Sequence, residues 1–183
     1  PDTAYTLELF AVVDGEYVKA STIGEPGDIA GLGSTATYVV LPVDESGDAI
    51  TTVPTDLVGG TVTVSFSTDD ATMGADYDQD PDTDSTSGTR TVTIGSTFEA
   101  EAEDDALADS GEVFTVSLDE DSLDSTTADK FEAIDYNTGI TYDVTTTILD
   151  ATDDTPPEDP ETPNTPDTAY TLELFAVVDG EYV

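Results

Sequence analysis

Three loops of this sequence carry dense carboxylates and no base. The first holds Asp69, Asp70, Asp76, Asp78, Asp80, Asp82 and Asp84. The second holds Glu101, Glu103, Asp104, Asp105, Asp109 and Glu112. The third holds Asp150, Asp153, Asp154, Glu158, Asp159 and Glu161. Hard anionic oxygens in excess of any basic partner are what calcium takes, with six to eight oxygens around the ion. The competing reading is a solvated acidic surface of the kind suited to high salt. An EF-hand is not expected. Asp76, Asp78 and Asp80 alternate as its loop requires, but Pro81 replaces the sixth-position glycine and Ser87 stands where the bidentate glutamate belongs. With no histidine and no cysteine, a zinc site is not expected. Asp104 and Asp105 are paired acids of the type glycoside hydrolysis uses. In so acidic a loop that pairing carries little, and no nucleophile motif accompanies it, so the expectation is that the chain is not an enzyme.

Charge narrows the partners. Lys and Arg number 3 against 42 Asp and Glu, giving a formal net charge of −39. Nucleic acid and anionic membrane surfaces need a basic patch, so both are excluded as electrostatic partners. Lys19, Arg90 and Lys130 cannot neutralise the acids, so counter-charge must come from solution as calcium or concentrated salt. No apolar run approaches the ~20 residues of a membrane-spanning helix. Without cysteine, no disulfide holds the fold.

The elements that must position these loops alternate with period two. Ala4–Val13 places Tyr5, Leu7, Leu9, Ala11 and Val13 on one face. Asp14-Gly15 is a hairpin signal, and Glu16–Ala20 returns. Ser21–Gly33 reads as a glycine-rich loop. Ser34–Val43 is a strand ended by the turn Asp44-Glu45-Ser46-Gly47. Further strands fall at Gly60–Ser67, Arg90–Ile94, Thr97–Ala102, Glu112–Leu118 and Tyr142–Leu149. Threonine and valine suit a pleated, half-buried surface. Seven to nine such strands predict an all-β, antiparallel β-sandwich. Each acidic loop adjoins a strand, so the loops are expected to converge at one end of it.

Pro166–Val183 repeats Pro1–Val18 letter for letter, a period of 165 residues. That period is domain-sized. The expected organisation is a tandem repeat unit: a sandwich over 1–154, an acidic proline-rich linker over 155–165, and the first hairpin of the next repeat over 166–183. The linker TPPEDPETPNTP favours extended polyproline II. The repeated segment is expected to pair with its own domain or to join repeats head to tail by strand addition.

From Gly60 to Leu118 the chain reads GTVTVSFSTDDATMGADYDQD and then TRTVTIGSTFEAEAEDDALADSGEVFTVSL. This resembles the Calx-β domain, with its T-x-D-G-T-A-x-x-G-x-D-Y loop and its D-D-x-x-x-E-x-x-E loop. The closing strand VTTTILDATDD, Val144–Asp154, is similar too. The resemblance implies a calcium-binding, immunoglobulin-like β-sandwich. It implies metal ligands at Asp76, at Asp104 and Asp105, at Asp109 in place of the usual glutamate, at Glu112, and at Asp150 and Asp153, with Glu25 as the early glutamate. Three departures stand out: Asp70-Ala71 at the usual glycine step, Ala106 within the acid run, and Ala151-Thr152 between the terminal aspartates. Identical acidic arrays of such domains look like the extender regions of giant bacterial adhesins. The expectation is therefore a calcium-stiffened spacer on the extracellular bacterial surface, with neighbouring identical repeats and calcium as partners. A surface module that binds ligands such as sugars is the alternative. No tryptophan and no aromatic cluster favours it; Tyr77 and Tyr136 are its only loop aromatics, and core or turn roles suit them better.

Overall fold

Ten strands form two five-stranded sheets, most of them on the segments with period-two patterning. The structure is a computed structural model. It describes residues 6–26, 31–68, 71–74, 76–81, 87–104, 111–119, 121–128 and 142–150, together with the two-residue strands 152–153, 167–168, 177–178 and 181–182. The strands are β1 (Thr6–Val13), β2 (Glu16–Val18), β3 (Ala20–Gly24), β4 (Thr35–Val43), β5 (Thr61–Thr68), β6 (Tyr77–Asp78), β7 (Thr89–Thr93), β8 (Thr97–Ala102), β9 (Val113–Leu118) and β10 (Asp143–Leu149). One sheet has the order β2-β1-β4-β8-β6 and the other β3-β10-β9-β5-β7. Their facing sides share one core, so the chain is an all-β sandwich, as its patterning predicts.

That core is built from alternate residues. Leu7, Leu9 and Ala11 of β1 meet Tyr38 and Val40 of β4, Val64 and Phe66 of β5, Phe114 and Val116 of β9, and Val144 and Ile148 of β10. Successive residues of a strand point to opposite faces, so a one-residue slip would turn the whole set outward.

The structure differs from the sequence reading in five places. Tyr77–Asp78, within a segment read as an acidic loop, forms the edge strand β6 beside β8. Ser21–Gly33 is not all loop, because Ser21–Gly24 belongs to β3. With one buried aliphatic residue, Ile23, β3 has little alternation to betray it. It pairs in parallel with β10, from Thr145 opposite Ala20 to Leu149 opposite Gly24, so the sandwich is not wholly antiparallel. The strand expected to return over Glu16–Ala20 stops at Val18, and the chain crosses to the other sheet at Lys19. Finally, β1 is buried on both faces. Phe10 packs with Val39, Leu41 and Val43 on the outer side of its sheet, against Val12, Ala49 and Val53. Val13, placed on the core face by the alternation, is 39% exposed at the strand's end.

Turns follow their residue chemistry. A tight hairpin needs positive φ at both central residues, and Asp14 (φ 52) with Gly15 (φ 84) supplies it. After β4, Gly47 N donates to Asp44 O at 2.9 Å, while Asp44 Oδ1 accepts from Ser46 N and Asp48 N. The single helical turn among the described residues, α1 (Ser125–Ala128), follows Asp124. Asp124 Oδ1 accepts from Thr127 N at 3.0 Å and Oδ2 from Thr61 N at 2.8 Å, which ties the turn to the start of β5.

The expected linker, 155–165, lies outside the described residues. Within the repeated segment, β13 (Val177–Val178) pairs with β14 (Glu181–Tyr182), Val177 opposite Tyr182 and Val178 opposite Glu181. The first copy has the same register, Val12 opposite Tyr17 and Val13 opposite Glu16. Upstream, β11 (Thr152–Asp153) pairs in parallel with β12 (Asp167–Thr168).

Candidate metal centre

Backbone pairing carries the acidic segments to one end of the sandwich. In the sheet containing β10, Glu25 N donates to Leu149 O at 2.9 Å, directly after the β3–β10 ladder. On the other side of β10, Ile148 N donates to Glu112 O at 2.8 Å and Gly111 N to Ile148 O at 2.9 Å. Glu25, Asp150 and Glu112 therefore sit at adjacent strand ends. In the other sheet, Tyr77 lies opposite Ala102, and Glu103 N donates to Asp76 O at 2.9 Å. Asp76 and Asp104 accordingly flank the end of β8.

An aromatic stack joins these two groups. The Tyr77 and Phe114 rings lie 4.1 Å apart with an interplanar angle of 8°, and Phe66 stacks beside both. Phe114 is two residues beyond Glu112 and Tyr77 one beyond Asp76. Packing across the sandwich thus sets where the acids of both sheets stand. Tyr77 is fully buried, which makes it a core residue and not a loop aromatic for a sugar. Burial, with the Asp76 charge adding to it, pushes its hydroxyl up to about 12. It remains a neutral phenol at physiological pH and supplies no anionic oxygen. Tyr136 lies outside the described residues.

Burial separates the acids. Glu25 is 2% exposed, Asp76 5% and Asp150 7%, whereas Glu112 is half-buried and Asp104 exposed. Taking a carboxylate out of water costs several kcal/mol unless it is paired or binds a cation. Part of the compensation at Asp76 is local: its Oδ2 accepts from Thr72 N, and its own N donates to Thr72 O at 2.8 Å. Two of the three basic residues are engaged elsewhere. Lys19 pairs with Glu8 at 3.0 Å and Arg90 with Asp80 at 3.1 Å. Arg90 also donates to Gln79 O and Glu99 O, so it clasps edge strand β7 of one sheet to β6 and β8 of the other. Lys130 lies outside the described residues.

The structure thus brings Glu25, Glu112 and Asp150 together along one sheet and Asp76 with Asp104 along the other. Asp105 and Asp109 lie outside the described residues, and of Asp153 the backbone alone is described, in β11. Among the described residues, no three acidic side chains form a cluster that could hold a metal ion by themselves. The chemical type of the donors nevertheless fits calcium: buried, anionic, hard oxygen, with no thiol or imidazole. Asp78 belongs to the first acidic loop but not to the ligand set that the resemblance implies. It is 7% exposed, and its Oδ1 accepts from Asp80 N at 2.9 Å. The signal was available in the spacing, since Asp76 and Asp78 flank the buried Tyr77, Asp76 just before β6 and Asp78 within it.

No protein-family model matches the chain, and no curated protein matches it. Solved structures do resemble it, three Calx structures among them. The apo form of the Calx CBD1 domain is 14% identical over 79% of this chain and 96% of that one, with a TM-score of 0.41. The calcium binding domain CBD12 of CALX1.1 is 16% identical over 73% of this chain and 42% of that one, with a TM-score of 0.40. CBD12 from CALX1.2 is 14% identical over 79% of this chain and 47% of that one, with a TM-score of 0.42. This chain thus spans less than half of the last two.

Proposed function

We propose that this chain is a calcium-stabilised structural repeat, a spacer in a longer extracellular surface protein of the adhesin type, and not an enzyme. One observation carries the calcium reading: Glu25, Asp76 and Asp150 are buried carboxylates at the same end of the sandwich. Calcium bound there would join the β3–β10 edge to the β6–β8 edge and remove the cost of burying those charges. Glu112 at the neighbouring strand end, with Asp104, Asp105, Asp109 and Asp153, would complete the oxygen set. The likeness of the 60–118 loops to the Calx-β pattern supports the same ion. The exact 165-residue period supports a spacer, because an array of identical units adds length without adding chemistry.

Two experiments test the two halves. Isothermal titration of the chelator-treated chain with calcium should show saturable binding, and Glu25→Gln with Asp76→Asn should weaken it at least tenfold. Heat that scales only with ionic strength would leave an acidic surface and no site. For the spacer, small-angle scattering of two linked repeats should show an elongated particle whose length is greater in calcium. A compact globule would rule that role out.

A further inference from the structure

One face of the sandwich is spared the acidity of the rest. Successive residues of a strand face opposite sides, so the core residues of β3, β10, β9, β5 and β7 leave alternate positions on the outside of their sheet. Serine or threonine fills every such position of β5 and β7. Thr115 and Ser117 of β9 and Thr145 and Thr147 of β10 continue the pattern. The register aligns these residues into ranks across the strands. Thr145 lies opposite Thr115, and Thr115 opposite Ser67. Ser117 lies opposite Ser65, and Ser65 opposite Thr89. All are half-buried or exposed. Asp143, at the start of β10, is the one carboxylate among the outward strand positions of this sheet, and none of them carries a base or an aromatic ring. Asp119 stands just past the end of β9, where its Oδ1 accepts from Ser65 Oγ at 3.2 Å.

Threonine on an exposed sheet face is ordinary. The missing charge is not, in a chain with 42 acids. The outer side of the opposite sheet shows the contrast, for Glu8, Asp78, Glu99 and Glu101 all stand on it. We propose that the hydroxyl face is a self-association surface, and that its occupant is the same face of a second copy of the chain.

The chemistry of the face fits a copy of itself. A hydroxyl donates one hydrogen bond and accepts two, so a face of hydroxyls satisfies its own image, which carboxylates, as acceptors alone, do not. Burying a carboxylate costs several kcal/mol, and the middle of this face holds none. Without an aromatic ring it offers a sugar nothing to stack on, which favours a copy over a glycan. Strands about 4.8 Å apart, with outward residues about 6.7 Å apart along each, give a footprint of about 500 Å² per copy. The pair then covers about 1,000 Å², a contact of the weak, transient class. The remaining surface of two such acidic chains repels, so association strengthens as salt screens that repulsion, the reverse of an interface made of ion pairs. Under the spacer reading identical faces recur every 165 residues, and weak contacts would add up along two aligned arrays. That last step rests on the spacer reading; the association of single chains does not.

Sedimentation equilibrium of the 183-residue chain tests the proposal, in calcium with about 1 M sodium chloride, where screening acts within about 3 Å. The average mass should climb towards that of a dimer as the chain approaches millimolar concentration, and should climb less in low salt. Thr115→Glu places a carboxylate at the middle of the face and should lower the association constant at least tenfold. Thr97→Glu adds the same charge at the exposed start of β8, on the opposite sheet, and should change it less than twofold. A chain that stays monomeric throughout overturns the inference, and so does equal weakening by the two variants. Retention of that monomer on insoluble cellulose, lost in Thr115→Glu, would assign the face to a neutral glycan instead. A second readout adds no charge. The sequence has no cysteine, so Thr115→Cys and Thr97→Cys each take a single nitroxide label. Between copies, the labels of Thr115→Cys should lie closer than those of Thr97→Cys by about 20 Å or more, twice the ~10 Å between packed sheets. Equal separations, or the opposite order, overturn the inference as well.

Discussion

Two tyrosines of the same core face opposite consequences when their hydroxyls are removed. Tyr38 Oη lies 2.6 Å from Thr146 Oγ1, which in turn lies 2.7 Å from Ser21 Oγ, so three strands share one buried polar chain. Tyr77 Oη is buried and has no hydrogen-bond partner among the described residues. A typical buried hydrogen bond contributes about 1 kcal/mol, and loss of one member leaves its partner unsatisfied. Tyr38→Phe should therefore destabilise by about 1–2 kcal/mol, whereas Tyr77→Phe should be neutral or stabilising, both read from urea midpoints at constant slope. An equal loss in the two variants would mean that Tyr77 has a polar partner in solution. The acid substitutions belong to this scale as well. Asp76→Asn keeps the shape that accepts from Thr72 N and removes the charge, so it should weaken calcium binding while leaving the chelated protein as stable or more so. Glu45→Gln, in the exposed turn after β4, should change neither.

Capping and clasping contacts set the element scale. Asp124 closes α1 and holds the first residue of β5, and those backbone donors, Thr61 N first, keep its carboxyl below the usual aspartate range. A depressed folded-state pKa contributes stability that is present above the unfolded value, ~3.9, and is lost as pH falls through the folded value. In chelator, acid unfolding of Asp124→Asn should thus show a smaller fall below about pH 4 than the parent. An unchanged acid limb would remove Asp124 from that role. Arg90→Ala should cost about 2 kcal/mol, because charge-assisted bonds to two carbonyls and to Asp80 are lost at once. The elements were legible in the sequence wherever alternation was strong: β4, β5, β8, β9 and β10 have their expected bounds to within a residue or so. β3 was not, because Ala-Ser-Thr-Ile-Gly has one apolar residue to reveal it and its parallel partner is more than a hundred positions away. The acids behave likewise. Their clustering in loops is written locally. Which of them are buried depends on the Tyr77–Phe114 stack and on β10, and no local pattern encodes either.

At the scale of the whole molecule, the dominant fact is a net charge of −39 on a chain with three bases. Two mechanisms can relieve it, diffuse screening by any salt and specific binding of calcium at the buried acids, and they differ in ion selectivity. An ion that binds the native state alone stabilises it by about 2.7 kcal/mol at a hundred times its dissociation constant. For a domain of this size that raises the melting temperature by about 5–10 °C. Screening by a monovalent salt depends only on ionic strength. The most direct measurement is a thermal melt of the 183-residue chain in low salt, chelated, then with calcium, then with sodium chloride at matched ionic strength. The account predicts a rise of about 5 °C or more in calcium, growing with its concentration, and little change in the matched sodium salt. Coincident melts in chelator and calcium, or an equal rise in sodium chloride, would contradict it.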